Sequence, residues 1–231
     1  MKKIIAAVLW AAGSLAVSAQ GPDDKVPILY CYGEDGCGGY WSPFTYPQLD
    51  WLLGMLGVLE EAGPGRPVVF LKNRSDEFTH YVDLRRSFTE INELFGGKGE
   101  PAFSSSFPDF APIQPKDGSW TVTTGNPATE DCPPGVAEQV AAMNLAESGT
   151  VTFTEPFSAA QALPYPDVHF IPTQPGHYKA LLISSELMSG RYDFSIESEE
   201  AMNGTLTNVV TIPGQTTCVV TMPVSYRRAG D

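Results

Sequence analysis

A mainly β fold is predicted: a small antiparallel up-and-down barrel, or strongly curled sheet, over residues 118–228, preceded by an α+β part. Three observations predict it. Between Gly190 and Arg228 three successive segments alternate apolar and polar residues, which buries one face of a strand and wets the other. About seven such segments follow Gly118, most of them joined by short turns. The residues before 97 carry two stretches with apolar residues at helical spacing instead. A two-sheet sandwich is the alternative topology for the C-terminal part.

In chain order, residues 1–19 read as a secretory signal peptide. Met1-Lys2-Lys3 is its basic start, Ile4 to Ala12 its apolar core, and small residues ending at Ala19 its cleavage site. The apolar run is too short to span a bilayer and is interrupted by Gly13 and Ser14. The expectation is an exported protein, periplasmic or extracellular, with no membrane insertion. Removal of Lys2 and Lys3 with the leader takes the formal charge from −13 to −15. So acidic a chain repels nucleic acid and anionic membranes, and neither is expected as a partner.

Residues 20–96 form a small disulfide-containing α+β region. A short strand at Val26–Tyr30 precedes a cysteine-flanked loop. Pro47 to Glu61 reads as one helix, with Leu49, Leu52, Leu53 and Leu56 at helical spacing and Gly54 and Gly57 weakening it. Pro67 to Leu71 reads as a strand. A second helix is expected from Asp83, as its cap, to Phe95, with Gly96-Gly97 ending it. Residues 97–117, rich in Gly, Ser, Pro and Phe, read as a linker whose Phe103, Phe107 and Phe110 lie on the next domain.

In the β region, the first strand begins at Gly118, and a third helix carries Val136, Val140 and Met143. A strand through Val151 and Phe153 follows, then a hairpin from Val168 to Ile183 turning at Pro172 to Gly176. The last three strands bury Tyr192, Phe194 and Ile196, then Met202, Leu206, Val210 and Ile212, then Cys218, Val220, Met222, Val224 and Tyr226.

Four cysteines in an exported chain imply two disulfides, with three possible pairings. The short loop between Cys31 and Cys37 makes them natural partners, which leaves Cys132 with Cys218. His80, His169 and His177 have no zinc spacing, and nucleophile-elbow, phosphate-loop and dinucleotide motifs are absent. The sequence therefore predicts no enzyme, no metal and no cofactor.

Gly118-Ser119-Trp120, with Arg227 and Arg228 at the end of the last strand, resembles the signature of the lipocalin and wider calycin barrels. That resemblance implies neighbouring first and last strands with a late basic residue packed across the tryptophan. Alternation in the last strand favours Arg228 for this place, lying across the Trp120 indole, and turns Arg227 outward. The whole stretch from Gly118 to Arg228 also looks like C-terminal β modules of exported bacterial proteins of unassigned function, a likeness that implies fold and disulfide but no activity. Two functions are expected from different classes. One is a non-catalytic barrel binding a small apolar ligand through Trp120, Phe153, Tyr192, Phe194 and Ile196. The other is an envelope or extracellular interaction protein with a filled core and no ligand, meeting its partner through the aromatic arm from Tyr30 to Tyr46 or through the helices.

Overall fold

Two sheets with helices packed against them build the molecule. A computed structural model describes residues 25–72, 78–104, 113–142, 147–163, 168–185, 187–211 and 217–231. The expected leader, Phe107, Phe110, Met143 and Ile212 lie outside the described residues.

The first sheet contains β1 (Pro27–Cys31), β2 (Cys37–Trp41), β3 (Val68–Lys72), β4 (Phe78–Val82) and β5 (Phe103–Ser104), in the order β4-β3-β1-β2-β5. β1 runs parallel to β3, and β2 parallel to β5. Parallel neighbours need crossovers. Helices α1 (Tyr46–Leu53) and α2 (Val58–Ala62) make the first crossover, and α3 (Phe88–Leu94) makes the second.

β1 is buried along its whole length. Ile28 and Tyr30 pack with Leu49, Leu52 and Phe70, while Leu29 and Cys31 pack on the other face with Val69 and Ile91. A strand covered on both faces needs a continuous apolar run, and Pro-Ile-Leu-Tyr-Cys supplies one.

Three local expectations are corrected in this half. The single helix expected over 47–61 is two helices. Gly54 ends α1 in the left-handed conformation, Leu56 follows at φ 55°, and Gly57 at φ 91° starts α2. The buried Asp50 carboxylate holds this elbow by accepting the N–H groups of Gly57, Leu59 and Glu60, each at 3.0 Å. The second helix starts at Phe88, because Ser87 and Glu90 form a capping box there. Asp83 instead accepts the N–H groups of Arg85 (3.0 Å) and Arg86 (2.8 Å) in a turn after β4. Finally, the segment read as linker contributes β5, whose Phe103 ring lies against Gly39 of β2 and stacks on Trp41.

The second sheet is antiparallel and has eight strands: β6 (Gly118–Thr124), β7 (Ala128–Glu130), β8 (Gly149–Val151), β9 (Phe170–Gln174), β10 (His177–Ser184), β11 (Met188–Ser198), β12 (Ala201–Thr211) and β13 (Thr217–Gly230). Their order is β8-β6-β13-β12-β11-β10-β9, with β7 also paired to β13. First and last strands pair as expected, with Trp120 opposite Arg228. The expected alternation holds in β11 to β13, where Tyr192, Phe194, Ile196, Met202, Leu206 and the even residues 218–226 are buried.

The sheet is not a closed barrel. β8 and β9 are its two edges. Residues 152–163, with a 3-10 turn at Ala159–Ala162, and helix α4 (Val136–Ala141) fill the concave side, so the strands need not wrap around it. The edges are blunt: β8 has three residues and β9 carries Pro172. The β9–β10 turn is accordingly shorter than expected, since β9 runs through Pro172 to Gln174.

Pro223 sits within β13 at a break in the neighbouring strand. Its carbonyl oxygen accepts the Gly125 N–H at 2.8 Å. The proline's missing N–H faces the same side, where β6 has ended and β7 has not begun.

Both expected disulfides are present, Cys31–Cys37 and Cys132–Cys218. The two sheets meet through α1, which packs on β10, and directly where β4 meets β9. Ile171 of β9 and Leu181 of β10 join the cluster containing Leu49 and Leu52. The Arg191 guanidinium lies 5.5 Å from the Trp51 ring centre.

Candidate functional site

The five residues expected to line a ligand cavity are all buried. They divide into two sets. Tyr192, Phe194 and Ile196 belong to the packed centre of the concave face. Phe194 stacks with Tyr192 (6.1 Å) and Phe157 (6.3 Å) and meets Tyr226 edge-on (5.9 Å). The Tyr192 and Tyr226 hydroxyls share a hydrogen bond of 2.7 Å, and the Tyr226 hydroxyl donates to the Ala162 carbonyl oxygen at 3.2 Å. A side chain at position 204 would collide with the Tyr192 hydroxyl, so only glycine fits beneath that ring. Burial pushes the Tyr192 phenol far above the ordinary range and the Tyr226 phenol up to about 12.

Trp120 and Phe153 do border free space. With Val122, Val151, Leu163 and Met202 they line a half-open recess of about 180 Å³. Its polar neighbours are engaged within the protein. The Gln161 side chain accepts the Thr154 N–H (2.8 Å) and donates to the Thr152 carbonyl oxygen (3.2 Å). The Trp120 indole N–H donates to the Lys116 carbonyl oxygen at 3.1 Å, and Arg228 Nε donates to that of Asp117 at 2.8 Å. These two bonds tie down the entry to β6 from both paired strands. Arg228 is 15% exposed and Arg227 51%, so the parity read from the sequence holds. The Arg228 guanidinium, however, is directed to the Asp117 carbonyl and to Glu200 and Asp231, and the cation–π contact among the described residues is Arg191 over Trp51.

A second recess was missed by sequence reasoning. It lies between the α1–α2 elbow and β11, measures about 360 Å³, and is lined by Pro47, Asp50, Trp51, Leu56, Glu60 and Arg191, among others. Leu56 is 96% exposed in the left-handed conformation. Arg191 Nε pairs with Asp193 Oδ2 at 2.8 Å, and Lys179 binds the other oxygen of the same carboxylate. The one signal available was the glycine pair at 54 and 57, which brackets Met55-Leu56.

A polar groove of about 300 Å³ on the outer face of the second sheet is lined by Thr173, His177, Lys179, Asp193, Ser195 and Asn203, among others. His169 instead packs edge-on against Phe44. Glu155 is exposed and Asp193 is held by its two cations. Among the described residues no group of three or more His, Cys, Asp or Glu is placed to hold a metal ion. None of their helices is long and apolar enough to cross a membrane.

No family model, no curated protein and no solved structure matches the chain. What stands from the calycin resemblance is the β-rich antiparallel fold with its neighbouring first and last strands.

Proposed function

We propose that this is an exported, non-catalytic protein that acts by contact with another macromolecule, an envelope or extracellular protein, while its own chain fills the core of the second sheet. One observation carries the reading. Of the large apolar side chains that are exposed among the described residues, Trp41, Leu56, Val58, Leu84 and Leu94 belong to the region of the first sheet and its helices, against Ile113 and Leu187 beyond it. They fall on both faces of the first sheet, Leu56 and Val58 at the α1–α2 elbow and Leu94 on α3, so each marks a separate candidate contact point rather than one continuous patch. The concave side of the second sheet points the same way. Ligand pockets commonly enclose roughly 300–1,000 Å³, and the recess beside Trp120 holds about 180 Å³. The two disulfides suit an oxidising compartment. The acidic charge argues against nucleic acid or an anionic bilayer as the partner.

A second reading has its own support. The recess lining is mostly apolar, which suits a small apolar ligand held between Trp120 and Phe153.

Photo-crosslinking in an exporting host separates the two. A crosslinking residue placed singly at Trp41, Leu56 or Leu94 is expected to capture protein, and one at Thr121 or Thr217 on the second sheet is not. Capture from neither set, with saturable heat stabilisation by a small apolar compound that Phe153→Leu abolishes, would favour the ligand reading instead.

A further inference from the structure

We infer that the recess between the α1–α2 elbow and β11 is the docking site for an apolar side chain carried on a basic segment of a partner protein. The inference rests on the contact reading above and names its surface and the partner's chemistry.

Leu56 is the first argument. A leucine at φ 55° is strained, because its Cβ crowds the following carbonyl, and glycine or asparagine is the usual occupant of that conformation. Here the leucine is also almost fully exposed, so no packing within the chain offsets the strain. The surrounding structure holds the elbow firmly all the same. Asp50 accepts three backbone N–H groups from the far side of the turn, and Gly54 closes α1 just before it. Strain that is over-determined by its support is characteristic of a residue kept for function.

The second argument is the floor beneath it. Trp51 and Arg191, from elements remote in sequence, meet there face to cation. Tryptophan and arginine are the side chains that most often dominate binding energy at protein interfaces. Arg191 is held in place by Asp193, so the platform is preorganised.

Charge selects the occupant. The accessible lining carboxylate is Glu60, since Asp50 is buried and turned onto three backbone N–H groups. The one lining guanidinium, Arg191, is paired with an Asp193 carboxylate that it shares with Lys179. Glu61 is exposed next to Glu60, and the whole chain carries −13. A lysine- or arginine-bearing segment complements this rim. An acidic segment, a second copy of this chain and an anionic bilayer are all repelled by it.

The test uses the full mature chain and two fluorescein-labelled decapeptides, each with a central Leu-Phe, flanked by lysines in one and by glutamates in the other. Fluorescence anisotropy is expected to show binding of the lysine peptide, weakened by salt, and at least about tenfold weaker binding of its twin. Leu56→Gly and Glu60→Lys should each weaken the lysine peptide by about tenfold, as loss of a central interface contact does. Leu56→Gly should at the same time raise the melting temperature, which excludes misfolding as the cause. Leu187→Asp, at an exposed leucine elsewhere, should change nothing. The inference is overturned if the lysine peptide does not bind, if the twin binds equally, or if Leu56→Gly binds like the wild type. A dimer in solution or adsorption to phosphatidylcholine vesicles, either one abolished by Leu56→Gly, would also overturn it. Crosslinks from Trp41 or Leu94 without any from Leu56 would sink this surface and leave the contact reading intact.

Discussion

β1 of the first sheet and β11 to β13 of the second bury their side chains in opposite ways. β1 is covered on both faces, by the α1 layer on one side and α3 on the other, and all five of its residues are buried. β11 to β13 bury one face only, and their opposite parity carries Arg191, Asp193, Thr205, Thr207 and Thr221. A strand covered on both faces depends on helices that must arrive from elsewhere in the chain. A strand covered on one face holds its pattern in its own sequence. The first sheet is therefore a short, locally stapled unit, and the second a long one held by register, a filled concave side and a distant disulfide.

The largest expected effect tests that contrast through the staples. Cys132 and Cys218 are 86 residues apart and Cys31 and Cys37 are 6 apart. Loop-closure entropy then predicts a loss of roughly 4–5 kcal/mol for the Cys132→Ala/Cys218→Ala pair and about 2 kcal/mol for Cys31→Ala/Cys37→Ala. Urea unfolding of the two double variants measures both, and a reversed order would break the comparison.

Trp120→Ala, which empties the end of the concave core, should cost about 3–5 kcal/mol in the same assay. Arg228→Ala should cost less. Arg227→Ala, at a side chain facing solvent, should cost close to nothing.

Alkali probes the buried phenols. Burial, as the main cause, raises Tyr226 from 10.0 to about 12, and Tyr192 rises further. A folded-state value above the unfolded one means the stabilisation is complete below pH 10 and is lost as pH rises through about 12. For Tyr226 alone the loss is roughly 2–3 kcal/mol. Absorbance at the phenolate band should therefore rise together with loss of the β-sheet circular dichroism. Tyrosines 192 and 226 ionising while the sheet persists would contradict the packed centre.

The smallest effect has the opposite sign. Leu56→Gly removes the left-handed strain and should stabilise the fold by about 1 kcal/mol. A destabilised variant would show that Leu56 packs against its own chain.

These contrasts also mark what the sequence could show. The alternation of β11 to β13, both disulfides and the parity of Arg227 and Arg228 were legible, because each depends on period-two patterning or on cysteine number and spacing. The pairing of β6 with β13 was expected only from the resemblance carried by Gly118-Ser119-Trp120. The openness of the second sheet was not. It depends on residues 152–163 filling the concave side, and their Pro-, Ala- and Gln-containing run has no periodicity to read. The split of the first helix depends on Asp50 reaching the N–H groups of Gly57, Leu59 and Glu60, a bond pattern no propensity encodes. β2, β4, β5 and β7 were missed because they are short and take their register from neighbours. Of the expected ligand site, Trp120 and Phe153 border the small recess, while Tyr192, Phe194 and Ile196 are packed in the centre. The recess beside Leu56 joins α1 to Arg191 of β11, which no local window spans.

The central claim is that the concave face of the second sheet is a filled core and that the surface does the work. Toluene titration read by melting temperature tests it most directly, since a ligand that binds only the folded state must raise that temperature. A dry apolar cavity of about 150 Å³ holds benzene, so the half-open recess beside Trp120, at about 180 Å³, has room for toluene if it takes apolar ligands. The filled core predicts no shift up to toluene saturation and no change in Trp120 emission. A saturable rise that Phe153→Leu alters and Leu56→Gly does not would contradict it and identify the recess as a ligand site.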